Sequence, residues 1–538
     1  MDSYVIYLIL LGIILIAGQI FQKSTIPLGL ILVITGILLS FIPFLPTIEL
    51  NHDLVLNIFL PLLVYQISAF SSWRDMKKQF RPIALLSIGH VIFITLLVAI
   101  VIHTLTPQIG WPVSFVLGAI VSPPDSVAIV SIAEKIRIPE RIFIILEGEG
   151  IFNDAAALTL FRFALAATIT NQVSVAYAFS AFSIIIIGET LYGLVLGHLV
   201  GRLRTKISNT SLHVIASFLT PFLAYVPMIK LGGSGIIATA IVGFIIGNQY
   251  SFRFKPAFRL TSTTTWPMFS FTIQSLIFLL VGLDFRSVYD RISSIPLGTL
   301  TAYVISVVAA VILGRFIWVY GFVITLPRLL SPSLRKKDPY PPWQYSFIIA
   351  WSGMRGGISL AAALAIPTLT LQRNNIDLRD LLVFLVLSVI FVTLILQGLS
   401  LPYILKKMGI DKVGHSERQK EHLSELQTRV QMINAALNWL HQQKALIKNN
   451  TSLLNELSLH ISEYQLLKNQ FESRILKHNH QLIHDKQMKS IENVSLLCHV
   501  IEVEKDEVLK LWRENKINLR MRNKLIGLLD HQIERHTI

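Results

Sequence analysis

The sequence predicts an all-α, polytopic membrane protein that ends in a helical polar tail, and three observations carry that expectation. Of 538 residues, 53% are apolar and only 15% charged, where a soluble chain of this size holds about a quarter charged residues. Long apolar runs recur from Met1 to about Gly409, each able to cross a hydrocarbon core of about 30 Å as a helix. After Asp411 they stop, so the chain divides into a membrane part, residues 1–411, and a tail, residues 412–538.

About thirteen spans follow in order. The first, 4–21, precedes Gln22 and Lys23; with neither a basic leading region nor a small-residue cleavage site, it reads as a span and not as a removed signal. The second and third cover 27–45 and 53–71, and the fourth, 82–106, carries His90. The fifth, 111–134, is interrupted by Ser122-Pro123-Pro124-Asp125-Ser126, and the sixth, 140–169, holds Glu147-Gly148-Glu149-Gly150-Ile151-Phe152-Asn153-Asp154. Glu189 and His198 lie in the seventh, 175–200; the eighth, ninth and tenth cover 211–229, 234–249 and 265–284. Arg315 lies in the eleventh, 298–326; the twelfth, 343–369, is interrupted by Ser352-Gly353-Met354-Arg355-Gly356-Gly357; the thirteenth is 381–405.

Loop charge tests this division independently. One set of alternate loops carries twenty-one Lys and Arg residues, the other five. Basic loops favour the cytoplasm, which puts the N-terminus outside, the tail inside, and the protein in a cell membrane. The net charge of +15 would point to nucleic acid in a soluble chain. Here the loops account for it, so the expected partner is the lipid bilayer and not nucleic acid. A single cysteine, Cys498, excludes an internal disulfide.

Function is sought among the polar groups inside the apolar spans, because a charge there costs at least about 2.5 kcal/mol. Counted from Glu140, Asp154 lies fourteen residues along the sixth span, or about 21 Å into the membrane. Glu149 and Asn153 share a face, and Gly150 leaves room one turn before Asp154. A structural hydrogen-bond network is the bland reading; a carboxylate facing a watery cavity at mid-depth binds an ion or relays a proton. Pro123 and Pro124 remove two backbone donors and prevent a continuous fifth helix. If spans one to six and eight to thirteen form two inverted halves, the interrupted fifth and twelfth spans occupy equivalent positions. Paired interruptions of this kind point to a transporter's binding site. Arg315 and Arg355 need acidic partners, and Glu149, Asp125 and Asp154 are available; Arg162, beyond Asp154, serves near the outer end of its span. Glu189, His198 and His90 have no clustered neighbours and read as structural.

Together, Gly148 to Asp154, the Ser122 to Ser126 break and the Gly353 to Gly357 break resemble the monovalent cation:proton antiporter family of sodium/proton exchangers, most of all its bacterial members with a C-terminal tail. The resemblance spans nearly the whole membrane part, in the family's order. It implies a homodimer with a dimerisation domain and a moving core domain, and discontinuous fifth and twelfth helices that cross at the ion site. It also implies that Asp154 binds ion and proton, that Asn153 marks the electroneutral branch, and that Glu149 pairs with Arg315. By the same resemblance Asp125 and Arg355 stabilise the broken helices. The expected ion- and proton-binding set is thus Asp154, Asn153, Ser122 and Asp125, with Asp154 as the cation ligand; Pro123, Pro124, Arg355 and Gly356 keep the helices broken. Two departures stand out: Gln66 where relatives often carry an acid, and Gly150 where some carry serine.

The function expected is secondary antiport, one monovalent cation for one proton, with no enzymatic step and no cofactor. Sodium is the expected cargo, with lithium or potassium as alternatives. A gated cation channel and a membrane-anchored sensor are the competing readings, and neither explains both breaks and the Asn153-Asp154 pair. In the tail, Leu423, Leu426, Val430, Ile433, Leu437 and Leu440 form a heptad seam, and Leu457, Ile461, Tyr464, Leu467, Phe471 and Ile475 a second amphipathic face. Such seams serve a small bundle, self-association or a regulatory partner equally well. Ten of the fifteen histidines lie there, at 415, 422, 441, 460, 478, 480, 484, 499, 531 and 536, which offers a cytoplasmic pH sensor as a further reading.

Overall fold

The computed structural model describes residues 3–21, 26–42, 52–107, 109–125, 136, 138–170, 175–292, 295–338, 340–366, 372–373, 376–447, 451–480 and 494–537. Gln22, Lys23, Ser126, the rest of the fifth span, Lys135 and Arg137 lie outside the described residues. The chain forms two compact units. The first gathers Met1–Leu203, Ile215–Tyr250 and Trp266–Val413; the second gathers Gly414–Ile538 with two stretches from the membrane part, Arg204–Val214 and Ser251–Thr265.

Described helix falls within each predicted span, but fewer than thirteen described helices have the length and hydropathy of a membrane crossing. Among the described residues, Phe80–Leu105, Glu140–Thr168, Ser183–Thr205, Thr210–Lys230, Pro256–Arg291, Leu297–Leu330 and Leu378–Lys407 are long and apolar enough to cross a membrane. Leu8–Phe21, Leu28–Ser40, Val55–Phe70 and Trp111–Val121 are shorter apolar helices. Four helices carry wider π turns, at Val55–Phe59, Leu85–Gly89, Ile246–Tyr250 and Trp318–Thr325. Besides helix, the described residues hold one antiparallel pair of two-residue strands, Gln372–Arg373 and Ile376–Asp377, in the loop before the last span.

The prolines act as the sequence predicts. Helix Trp111–Val121 stops at Ser122, and Ser122 to Asp125 are not helical. The twelfth span is helix Trp343–Trp351, a non-helical Ser352 to Gly356, and helix Gly357–Leu364. Close packing holds the first half-helix: a Cβ at Gly118 would collide with the backbone of Thr95 on the fourth span, an approach that small residues permit inside membranes. Beside it, Leu60, Val64, Ile83, Ile151, Ala155 and Phe244 belong to one buried cluster that joins the third, fourth, sixth and ninth spans.

The second unit is built on helices from Ile410–Leu446, Thr451–His480, Val494–Arg513 and Leu519–Thr537. Most of both predicted seams turns inward, while Leu467 of the second stays exposed. Ile433, Leu437, Leu440, Leu457, Ile461 and Tyr464 bury one another together with Val500, and Met432 packs with Ile501, Val508, Leu511 and Leu525. Within this unit the guanidinium of Arg204 lies over Phe254 and Phe258, and His213 stacks on Phe258. Arg522 Nη2 donates to Ser251 Oγ at 3.4 Å. Of the tail histidines, His460 is buried against Glu463 at 3.2 Å, and His422 lies 3.8 Å from Glu425. The side chains at 415, 478, 480, 484, 499, 531 and 536, and that of Cys498, lie outside the described residues.

Candidate functional site

The two breaks meet backbone to backbone, where Asp125 N–H donates to the Met354 carbonyl at 2.6 Å. Each break then supplies a charge to the other's exposed helix end. A helix C-terminus presents unpaired carbonyls and partial negative charge, an N-terminus the reverse. Arg355, from the twelfth-span break, donates through Nε to Val121 O at 2.7 Å and through Nη2 to Ser122 O at 3.1 Å, at the C-terminus of helix Trp111–Val121. Its Nη1 donates to Gly353 O, and its backbone N–H to Thr393 Oγ1 at 3.1 Å. Reciprocally, the Asp125 carboxylate lies against Gly356, at the N-terminus of helix Gly357–Leu364; a side chain at 356 would collide with it.

Helix Glu140–Thr170 lines this crossing. Asn153 donates through Nδ2 to Pro124 O at 2.7 Å, supplying a donor to the carbonyl of the second proline. One turn earlier, Glu149 receives both guanidinium nitrogens of Arg315, at 2.6 and 2.8 Å, while Arg315 Nε donates to Ile349 O at 3.1 Å. Glu149 and Arg315 are each 1% exposed, a closed bidentate pair. Ser122 is also buried, and its hydroxyl donates to Ala119 O at 2.9 Å.

Asp154 has different surroundings. Two cavities touch it. The first, about 490 Å³ with its mouth, is bordered by Leu63, Ile67, Asp125, Gly150 and Ile151; the second, about 240 Å³, its mouth likewise included, by Ala119, Ala157, Leu158 and Phe161. Asp154, Pro123, Ile358 and Ser359 border both. Along its own helix, therefore, one cavity opens on the Glu140 side of Asp154 and the other on the Thr170 side. Asp154 accepts no hydrogen bond and forms no ion pair among the described residues. No group of three or more His, Cys, Asp or Glu side chains suited to a resident metal occurs among them either. A carboxylate with this freedom suits a weakly held monovalent ion that keeps part of its water. Ser122 and Asn153 do not border either cavity; Asn153 bonds to backbone at the break, and Ser122 to Ala119 O in the helix before it.

Several polar residues find partners that the sequence did not suggest. Glu189 accepts from Ser234 Oγ and from the backbone N–H groups of Gly235, Ile237 and Ala238, so it caps helix Ile236–Ile245. Arg162 donates to the carbonyls of Gly232 and Gly233, in the loop before that helix. His198 bonds its own helix at Leu194 O, 2.9 Å away. His90 is fully buried, with neither ring nitrogen hydrogen-bonded among the described residues. Of the two departures, Gly150 borders the first cavity and Gln66 does not. The clue to Glu189 lay in the Gly232-Gly233-Ser234-Gly235 run, a helix start in need of an acceptor.

A family model described as sodium/hydrogen exchanger, transmembrane, matches residues 7–407. The chain is 29% identical to the sodium, potassium, lithium and rubidium/H(+) antiporter of Bacillus pumilus (strain SAFR-032), over 96% of this chain and 76% of that one. It is 27% identical to the Na(+)/H(+) antiporter ApNhaP of Aphanothece halophytica, over 95% and 94%. Among solved structures, the sodium proton antiporter MjNhaP1 from Methanocaldococcus jannaschii has a similar fold, with a TM-score of 0.58 at 18% identity, covering 74% of this chain and 99% of that one.

Proposed function

The chain belongs to the sodium/hydrogen exchanger family, and from that premise we propose that it is a secondary antiporter, exchanging one monovalent cation, sodium in the first instance, for one proton at Asp154. One observation carries this reading: Asp154 borders a cavity on each side along its helix, where the two chain breaks cross. Proton and cation compete for the same carboxylate, and either leaves the site neutral. The empty, charged carboxylate is held back by the apolar lining of Leu63, Ile67, Ile358 and Phe161, since bare charge is costly at membrane depth. Crossing only when loaded makes the exchange obligatory and electroneutral.

The surrounding residues then have supporting roles. Asp125, on the first cavity, adds a second acidic oxygen for the cation and holds the end of the second half-helix. Ser122 and Asn153 act through the break, fixing the carbonyls that face the ion's route. Glu149 and Arg315 form a permanent core pair, and Pro123, Pro124, Arg355 and Gly356 keep the helices interrupted. We assign transport to residues 1–411 and regulation to 412–538, with the N-terminus outside, the tail cytoplasmic, the assembly a homodimer, and no cofactor beyond the transported ions.

The test is a vesicle assay of cation against proton exchange, with sodium, lithium and potassium supplied separately and membrane voltage clamped by an ionophore. Electroneutral exchange is insensitive to the clamp. Steady current without proton counterflow would establish a channel instead.

A further inference from the structure

Away from the ion site, three arginines of the first unit converge on one loop carboxylate. Asp338 Oδ2 accepts from Arg81 Nη2 and Arg328 Nη2, both at 2.8 Å, and Oδ1 accepts from Arg141 Nη2 at 2.7 Å. They come from the starts of the fourth and sixth spans and the end of the eleventh, all on the strongly basic side of the sequence. Burial alone would push the Asp338 carboxyl up. The hydrogen bond and charge of Arg141, with the charges of Arg328 and Arg81, outweigh this and hold it below the usual carboxylate range.

Three guanidinium groups facing one ionised carboxylate leave a surplus of two positive charges. Donors are left over as well. Arg81 Nη1 is buried with no hydrogen-bond partner among the described residues, and Arg141, 37% exposed, makes its described hydrogen bond through Nη2 alone. Arg328, by contrast, is nearly fully buried and fixed by Ile324 O and by the Asp338 backbone carbonyl, which gives the cluster a rigid floor.

The surroundings of this charge are apolar and outward-facing. Phe80 adjoins Arg81, Leu329 and Leu330 follow Arg328, and Tyr340 lies beneath the Arg328 guanidinium; all are exposed, Leu330 by 75%. Trp343 opens the next span, also exposed. Aromatic residues and arginines at the end of membrane spans lie at headgroup depth, and basic pockets between spans bind anionic headgroups. A soluble phosphate would use the guanidinium groups alone. A phospholipid uses both parts, its phosphate on the arginines and its chains along the exposed Leu and Phe side chains.

We propose that Arg81 and Arg141, held over the buried Arg328, form a binding site for the phosphate of an anionic phospholipid headgroup. The full-length protein, in mild detergent, is titrated with phosphatidylglycerol, with phosphatidylcholine of the same chains, and with inorganic phosphate, while thermal unfolding is followed and native mass spectrometry counts retained lipids. Phosphatidylglycerol is expected to raise Tm well beyond phosphatidylcholine, with little effect of inorganic phosphate. The double variant Arg81→Gln, Arg141→Gln should lose most of that difference. Should this variant fold poorly, Asp338→Asn gives the opposite test: freed of their internal carboxylate, the arginines should gain more from phosphatidylglycerol than wild type does. Equal shifts with both lipids, or a phosphatidylglycerol shift unchanged in both variants, would overturn the site. A shift reproduced by inorganic phosphate alone would overturn the lipid as its ligand.

Discussion

Glu149 and Asp154 stand five residues apart on one helix, about 7.5 Å along its axis, and their surroundings could hardly differ more. Both oxygens of Glu149 are held by Arg315, and it borders neither of the two cavities that touch Asp154. Asp154 borders a cavity on two sides and has no ion-paired cation among the described residues. The contrast teaches that burial of an acid does not itself make an ion site; what matters is whether the protein supplies the counter-charge permanently. Glu189 follows the Glu149 pattern with a helix N-terminus in place of an arginine. Asp125 lies between the two patterns, against a helix N-terminus yet bordering the first cavity.

The sharpest way to break the comparison is Asp154→Asn. We expect complete loss of exchange with folding intact, since the amide keeps its size but neither binds a proton in this range nor balances a cation. Wild-type exchange by a well-folded variant would remove Asp154 from the mechanism. On the other side, Glu149→Gln or Arg315→Gln alone should cost about 3–5 kcal/mol by stranding a buried charge. The double neutral replacement should recover much of it, and a double-mutant cycle of thermal stabilities reads the coupling. Smaller again is Arg355→Met, which deprives the carbonyls of Val121 and Ser122 of their donor. A cost of about 2–3 kcal/mol is expected, with exchange slowed further because the break itself is disturbed; unchanged melting would mean that other groups serve those carbonyls.

Over the narrow window between neutral pH and 8, the smallest effect comes from a further buried acid, in the tail. Burial pushes the Glu504 carboxyl from an ordinary value of 4.5 up to about 8, against the opposing charge of Arg429. A carboxyl that stays protonated in the folded bundle stabilises it fully below pH 4.5. That contribution falls by about 1.4 kcal/mol per pH unit as the pH rises, and is gone above about 8. Hydrogen-exchange protection of helix Val494–Arg513 in the full-length protein, taken relative to the intrinsic base-catalysed rate, should therefore fall between neutral pH and 8, and Glu504→Gln should flatten the profile. An equally steep profile in that variant would assign the dependence to another group.

Hydropathy and two prolines were enough to read the apolar helices and the fifth-span interruption, because length and missing donors are local properties; they did not fix how many of those helices cross, seven described ones having the length and hydropathy to do so. The placing of Asp154 was legible too, since its depth in an apolar run follows from counting residues along one helix. What could not be read were the partners. Arg355 reaches Val121 across more than two hundred residues, and no spacing rule connects Asp338 with Arg81. Loop charge placed Arg81, Arg141 and Arg328 in one set of loops but gave no hint that the three share a carboxylate. The tail seam fitted a bundle or a partner equally, since both bury the same stripe; packing of Leu437 against Leu457 and Val500 decides for the bundle. Nor does the compact second unit begin where polarity does. It takes in 204–214 and 251–265 as well, so a cut at 412 would divide it.

The wider turns at Leu85–Gly89 and Trp318–Thr325 bear on how this chain is aligned with any other. Each is one residue longer than an α turn, and the two face each other: the Leu85 carbonyl accepts both His90 N–H and the Trp318 indole, the latter at 2.9 Å. One inserted residue advances a helix by about 100°, so the stretches before and after it obey different phases. A helical wheel drawn straight through from Arg81 to Leu105 therefore puts one end on the wrong face. Deleting a single residue within Leu85–Gly89 would leave composition and hydropathy almost untouched, yet swing Arg81 away from Asp338 or His90 away from its buried position. Gaps of one residue in these spans are thus changes of angle, and pairing positions across them requires counting rotation as well as residues.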